Sequence, residues 1–343
     1  MAIPVCSALV LQGGGALGAY EFGAARALYE DEHFAPDLIA GVSIGAITAV
    51  LLARPKDGLK PLEALKAFWE AVTVLGLFLP PDLRPFASFL GIPRFFTPRV
   101  DYLTWPTWTY FYDTAPLRRT LEELVDLDAL ADRQAAPGLL VSATDVKEGQ
   151  IKYFYSREAT LTLDHIMASG SLPPAFPATV IEGKPYWDGG LFHNTPLGGV
   201  LDRLDDTPDV ELTVYVVNLF PNKAPVPTNL PDVMSRIKNL QFANKTLGDV
   251  ELMRRINEVA ELVAALDKLP GGNPIKDDRA YQAVKKRGYI HIQRIVSITT
   301  TEITQEFSDI DFSPESIKKR SDQGYAQTVK ALAATARAEQ DRK

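Results

Sequence analysis

A chain of 343 residues, 46% hydrophobic and 23% charged, has the balance of an ordinary water-soluble globular protein and room for one large α/β domain or two smaller ones. Its net charge of −7 provides no basic surplus to neutralise phosphates, which argues against a nucleic-acid partner and against electrostatic docking on anionic lipid. Transient membrane contact through apolar surface stays open, and composition does not set an oligomeric state.

The first residues, Met1-Ala2-Ile3-Pro4-Val5, lack a basic segment followed by an apolar run, so no signal peptide is expected. No apolar run approaches the roughly 20 residues needed to span a bilayer, and a cytoplasmic setting, with peripheral membrane contact open, is the expectation. Cys6 stands alone, and His33, His165, His193 and His291 show no metal-ligand spacing, so neither a disulfide nor a metal site is expected.

Ser7 to Gln12 reads as a buried strand running into Gly13-Gly14-Gly15-Ala16-Leu17-Gly18, and Ala19 to Glu30 as an Ala-rich helix. A second strand, Leu38 to Val42, ends at Ser43, with a helix over Ile44 to Leu52 and another over Pro61 to Leu75. Strand–helix–strand–helix with short connections is the pattern of a mostly parallel sheet covered by helices. From Leu77 to Tyr112 recurrent proline mixes with aromatic residues; a packed irregular insertion and an aromatic lid are both compatible with that composition. Thr114 is a candidate N-cap for a helix to about Val125. Strands follow at Gly138 to Thr144 and Ile151 to Tyr155, a short helix at Leu163 to Ala168, and a hairpin at Thr179 to Trp187. Leu212 to Leu219 is the last clear core strand. Beyond a boundary at Pro225 to Pro231 come a long helix (Val233 to Leu269), the loop Pro270 to Pro274, a strand (Ile290 to Ser297) and a final helix from Pro314 with Ser313 as N-cap.

Three short patterns carry chemistry. Gly13-x-Gly15-x-x-Gly18 has the form of a dinucleotide fingerprint, but that reading wants an acidic residue at the end of the second strand, which here ends at Val42-Ser43. Backbone N–H groups of Gly13, Gly14 and Gly15 at a helix N-terminus can instead converge on a developing oxyanion. Gly41-Val42-Ser43-Ile44-Gly45 is either a tight packing turn or an elbow that exposes a nucleophilic hydroxyl. In an α/β-hydrolase such an elbow follows several strands and its triad runs serine, acid, histidine; Ser43 ends only the second strand. His193 and His291 do follow Asp188, so a triad remains an alternative. Asp188-Gly189-Gly190 is either a plain turn or a carboxylate freed by two glycines to act as base, which would require desolvation and contact with Ser43. Asp145 and Asp164 compete for that role but lack the paired glycines.

In this order, Gly13 to Gly18, Gly41 to Gly45 and Asp188 to Gly190 resemble the three signature blocks of the patatin-like phospholipases, as does Ala168 to Pro177 the segment upstream of the aspartate. The resemblance covers about residues 7–202. It implies a three-layer α/β/α fold with a mostly parallel sheet, and a lipid acyl hydrolase that uses neither metal nor nucleotide. Carried over, Ser43 is the nucleophile, Asp188 the base, and backbone N–H groups of the Gly13–Gly15 run, foremost those of Gly14 and Gly15, the oxyanion hole, with Gly18, Gly41, Gly45, Gly189 and Gly190 shaping the motifs. The family's third block often ends in Ala where this chain has Gly190. The expected organisation is a 7–202 core with an insertion at about 77–112, and a 203–343 part holding the last core strand and a mainly helical extension packed on the core. A non-catalytic acyl-binding protein on the same scaffold is the rival reading.

Overall fold

The computed structural model describes residues 5–32, 34–74, 87–204, 210–243, 246–269, 274–287, 290–300 and 308–340. His33, the first part of the aromatic insertion and most of the Pro270 to Pro274 loop lie outside the described residues. The chain opens as anticipated with β1 (Val5–Leu11), α1 (Ala19–Tyr29), β2 (Leu38–Gly41), α2 (Ile44–Ala53) and α3 (Pro61–Val72). A small ribbon, β3 (Thr97–Pro98) with β4 (Tyr112–Asp113), closes the described part of the insertion. Then come α4 (Ala115–Leu124), α5 (Leu127–Ala131), β5 (Gly138–Asp145), β6 (Gln150–Tyr155), α6 (Leu163–Ser169), β7 (Thr179–Ile181), β8 (Lys184–Asp188) and α7 (Leu197–Leu204). The remainder is β9 (Val210–Asn218), α8 (Leu230–Phe242), α9 (Thr246–Asp267), α10 (Arg279–Arg287), β10 (Ile290–Thr299) and α11 (Pro314–Gln340).

One sheet holds β10-β9-β1-β2-β5-β8-β7 in that order, with β6 also paired to β5. The run from β10 to β5 is parallel, while β6 and β8 lie antiparallel to β5. Because strand side chains alternate, the apolar runs feed two cores. Leu9, Leu11, Ile39 and Val141 pack with α1, α2 and α3; Ala8, Val10, Leu38 and Ala40 pack with Leu197 and Val200 of α7 and Met253 of α9. The result is helix, sheet, helix in three layers.

The chain beyond the Pro225 to Pro231 boundary is stitched into this fold. β10 adds a parallel edge to β9, with Val296 opposite Tyr215. α11 lies across α1 at a crossing made by two glycines: a Cβ on Gly23 would stand 1.8 Å from the Ser321 carbonyl oxygen, and one on Gly324 2.0 Å from that of Tyr20. Ser313 caps α11 by accepting from the Ser316 N–H at 3.4 Å. Two local expectations shift. The single helix expected from Val233 to Leu269 is two, because Ala243 leaves helical geometry at ψ 148°. At the start of α4 it is the Asp113 carboxylate, rather than the Thr114 side chain, that accepts the Ala115 N–H, at 2.8 Å.

The crossing gives a direct test. Gly324→Ala should lower the melting temperature by roughly 5 °C or more, since rigid backbone must move to admit one methyl. Gly248→Ala in α9, where a Cβ meets nothing within 4 Å, should leave it unchanged or raise it.

Candidate active site

The carboxyl ends of β1 and β2 converge on the site. Ser43 follows β2 with φ 57° and ψ −125°, a left-handed conformation uncommon for a residue with a side chain, and opens α2. Its N–H donates to Ser169 Oγ at 3.0 Å, which ties the elbow to the end of α6. The flanking glycines are required by approach distances. A Cβ on Gly41 would lie 2.1 Å from the Gly45 carbonyl oxygen, and one on Gly45 2.6 Å from those of Leu11 and Gln12.

Register delivers Asp188 to the same place. Gly41 is opposite Val141 on β5, and Asp188 is opposite Ala143, two residues further along. Ser43, two residues past Gly41, therefore meets Asp188 although 145 positions separate them. The Asp188 carboxylate is 2% exposed. The Ser43 side chain lies within reach of it, and the Gly190 N–H donates to it at 2.7 Å. The Asp188 backbone is fixed by bonds to the Ser171 carbonyl and the Thr144 hydroxyl. Burial raises the Asp188 pKa from 3.8 to about 7, against the opposing effect of Ser43 and the Gly190 N–H.

The glycine loop forms the opposite wall. Asn194 clamps both sides of Gly13: Oδ1 accepts its N–H at 3.1 Å and Nδ2 donates to its carbonyl at 3.1 Å. Nδ2 also donates to the Phe242 carbonyl at 3.2 Å, at the end of α8. The Gly13 N–H is thus committed to Asn194. Gly15 has φ 55° and opens a short 3-10 turn, Gly15–Gly18, that runs into α1; a Cβ there would lie 2.4 Å from the Asp309 carbonyl oxygen. Gln12 braces the loop, accepting from the Leu219 N–H and donating to Thr195 Oγ1, each at 2.7 Å. Behind it Glu21, fully buried and held well above the ordinary carboxylate range by desolvation, accepts from the Thr48 hydroxyl at 2.9 Å. Arg320 of α11 donates to the Ala16 carbonyl at 3.3 Å. Asn194 had no sequence signal beyond its position six residues after Asp188.

A cavity of about 310 Å³ opens onto Ser43, Asp188 and the glycine loop. Its other walls are mostly apolar: Phe95, Phe96 and Tyr112 from the insertion, Phe176 from the segment before β7, Phe220 after β9, and Ile310 and Phe312 before α11. The size and lining suit one apolar ligand with a polar end.

The competing residues lie elsewhere. Asp145 closes a turn, accepting the Lys147 and Glu148 N–H groups at 3.0 Å. Asp164 pairs with Arg118. His165 accepts from the Thr162 N–H at the start of its own helix, and burial lowers its pKa. His193 Nδ1 is 3.4 Å from Tyr153 Oη, and His291 is opposite Glu211 at the far edge of the sheet. Among the described residues, no group of three or more His, Cys, Asp or Glu is placed to hold a metal ion, and no helix is long and apolar enough to cross a membrane.

Fold and site together define an α/β protein with a desolvated serine–aspartate pair at the polar end of an apolar cavity. Residues 9–201 match the family model described as patatin-like phospholipase, and residues 240–343 a second one described as patatin phospholipase. The chain belongs to the patatin-like phospholipase family. Among solved structures it is similar to VipD from Legionella pneumophila, at 15% identity and TM-score 0.42, over 96% of this chain and 67% of that one. It is also similar to the complex of full-length SpcU with full-length ExoU from the type III secretion system of Pseudomonas aeruginosa, at 16% identity and TM-score 0.31, over 83% of this chain and 68% of that one. No curated protein matches it.

The buried aspartate makes a prediction about stability. Between pH 3.8 and about 7 the folded protein holds a proton that the unfolded chain releases, so Asp188 lowers stability progressively as pH rises through that window. At about 1.4 kcal/mol per pH unit the full effect approaches roughly 4 kcal/mol. Asp188→Asn should therefore stabilise the protein in urea at pH 8 by up to that amount and change little at pH 4.

Proposed function

We propose that this chain hydrolyses lipid acyl esters through a Ser43–Asp188 dyad. The observation that carries the reading is the buried Asp188 carboxylate beside the Ser43 side chain at the polar end of an apolar cavity. A carboxylate in water is too weak a base toward an alcohol; desolvation brings Asp188 into a useful range near neutrality. Asp188 accepts the Ser43 proton as Oγ bonds to the acyl carbon. The oxyanion is held by the N–H groups of Gly14 and Gly15, which Asn194 places by gripping Gly13. The tetrahedral species collapses as the alcohol leaves with the proton from Asp188, which leaves an ester on Ser43. Asp188 then deprotonates a water that attacks this ester, and Ser43 Oγ recovers the proton as the fatty acid departs. The aromatic cavity takes the acyl chain, so the substrates are phospholipid, lysophospholipid or a simpler glyceride.

Hydrolysis of a chromogenic ester by the purified chain tests the dyad. Ser43→Ala and Asp188→Asn should each lower kcat by about 10³ or more, and EDTA should have no effect. Full activity in either variant would overturn the dyad, and no activity in the wild type would return the chain to the acyl-binding reading. The rate should rise with pH through about 7, where Asp188 loses its proton, and level off above it.

Asn194→Ala should lower kcat by roughly 10- to 100-fold with KM nearly unchanged, because the donors it places act on the oxyanion rather than on the bound ester. A rise confined to KM would assign Asn194 to the cavity wall instead.

A further inference from the structure

α8 is built inside out. Ser235 and Asn239 are buried at 6% and 0% exposure, whereas Leu230, Val233, Met234, Ile237 and Leu240 stand between 39% and 72% exposed. At 3.6 residues per turn Val233, Met234, Ile237 and Leu240 share one face, and Ser235, Lys238, Asn239 and Phe242 share the opposite one. A surface helix ordinarily does the reverse. The inward face gains little from burial, since neither amide atom of Asn239 has a partner among the described residues.

The position of this helix explains the inversion. Its inner residues Lys238 and Phe242 line the cavity that holds Ser43. Lys238 pairs with Asp309 at 2.5 Å, and the next residue, Ile310, accepts from the Ser88 hydroxyl. The short segment Ser308–Ile310 thus bridges α8 to Phe89, which lines the cavity yet is 46% exposed, and to Leu90, 63% exposed. Outward-facing apolar side chains therefore stand on both sides of the cavity rim.

We propose that the outer face of α8, with Phe89 and Leu90, seats on a neutral, zwitterionic lipid surface, so that the cavity rim meets the layer from which an acyl chain is drawn. This rests on the lipid-ester reading above. A lipid surface supplies the cavity with what it would hold, whereas a second copy of the chain seated there would cover the rim. Charge selects the kind of lipid. Lys238 is taken by Asp309, Arg236 donates to the Pro221 and Asn222 carbonyls, and the chain as a whole carries −7, so contact with an anionic surface is not favoured. Docking depends on apolar burial in the interface.

Flotation of the full chain with phosphatidylcholine vesicles tests this, in wild type and in Ser43→Ala, which separates docking from turnover. Both should float, and replacing a third of the lipid with phosphatidylserine should not strengthen binding. Combined Met234→Ser, Ile237→Ser and Leu240→Ser should weaken partitioning by about tenfold or more while hydrolysis of a soluble short-chain ester stays within about twofold. Ile237→Trp keeps the face apolar, and the emission this variant gains over the wild type should shift to the blue on adding vesicles. Undiminished flotation of the triple variant, or an added emission in Ile237→Trp that vesicles leave unchanged, would overturn the proposal. So would a parent that stays unbound and elutes as a dimer which the triple substitution splits, assigning the face to a second copy. Flotation with no ester hydrolysis by the wild type would count against the Ser43 reading alone.

Discussion

β5 is eight residues long where β2 is four, and the site depends on that difference. The first half of β5 pairs with β2, and its last three residues are free to take β8 in the opposite direction. This places the end of β8 where β2 would have continued, so Asp188 faces the residue that leaves β2 at the elbow. The contact is unfavourable for the isolated domain: a carboxylate loses its water and a serine adopts a strained backbone. Both are held by a sheet whose central strands are buried on both faces, in which the cost of two awkward residues is small beside the apolar area removed from water.

Much of this was legible from sequence because it is local. The two glycines around Ser43 and the pair after Asp188 are there for approach distances of under 3 Å, and such needs leave a spacing that can be read without knowing the fold. The fully buried parallel strands likewise appear as unbroken apolar runs. Asn194 was not legible in the same way: its partner is Gly13, and nothing about an asparagine in a loop announces a bond across 181 positions. The division of the expected Val233 to Leu269 helix also escaped, since both halves keep helical composition. α8 defeated pattern reading more thoroughly, because an apolar stripe is ordinarily taken as the buried side and here it is the outer one.

The part of the chain after β9, expected from sequence as an extension packed on the core, supplies one wall of the cavity. Phe242, Asp309, Ile310 and Phe312 complete a cavity whose floor is laid by the first 45 residues, and Arg320 reaches back to the glycine loop. The insertion provides the facing aromatic side, with Phe95 and Phe96 packed against Phe176. Three stretches distant in the chain therefore share one small volume, and none encloses it alone.

The clamp on Gly13 has a consequence for when the protein becomes competent. Asn194 joins the glycine loop to the turn that follows Asp188 and, through the Phe242 carbonyl, to the end of α8. A ribosome that has released only the first two strands has exposed Ser43 with no partner and a glycine loop with nothing to hold its shape. One that has released the chain as far as Asn194 has the pair but not its enclosure. The pair and its cavity are therefore assembled only when segments as far apart as Gly13, Asn194 and Phe242 have all come together.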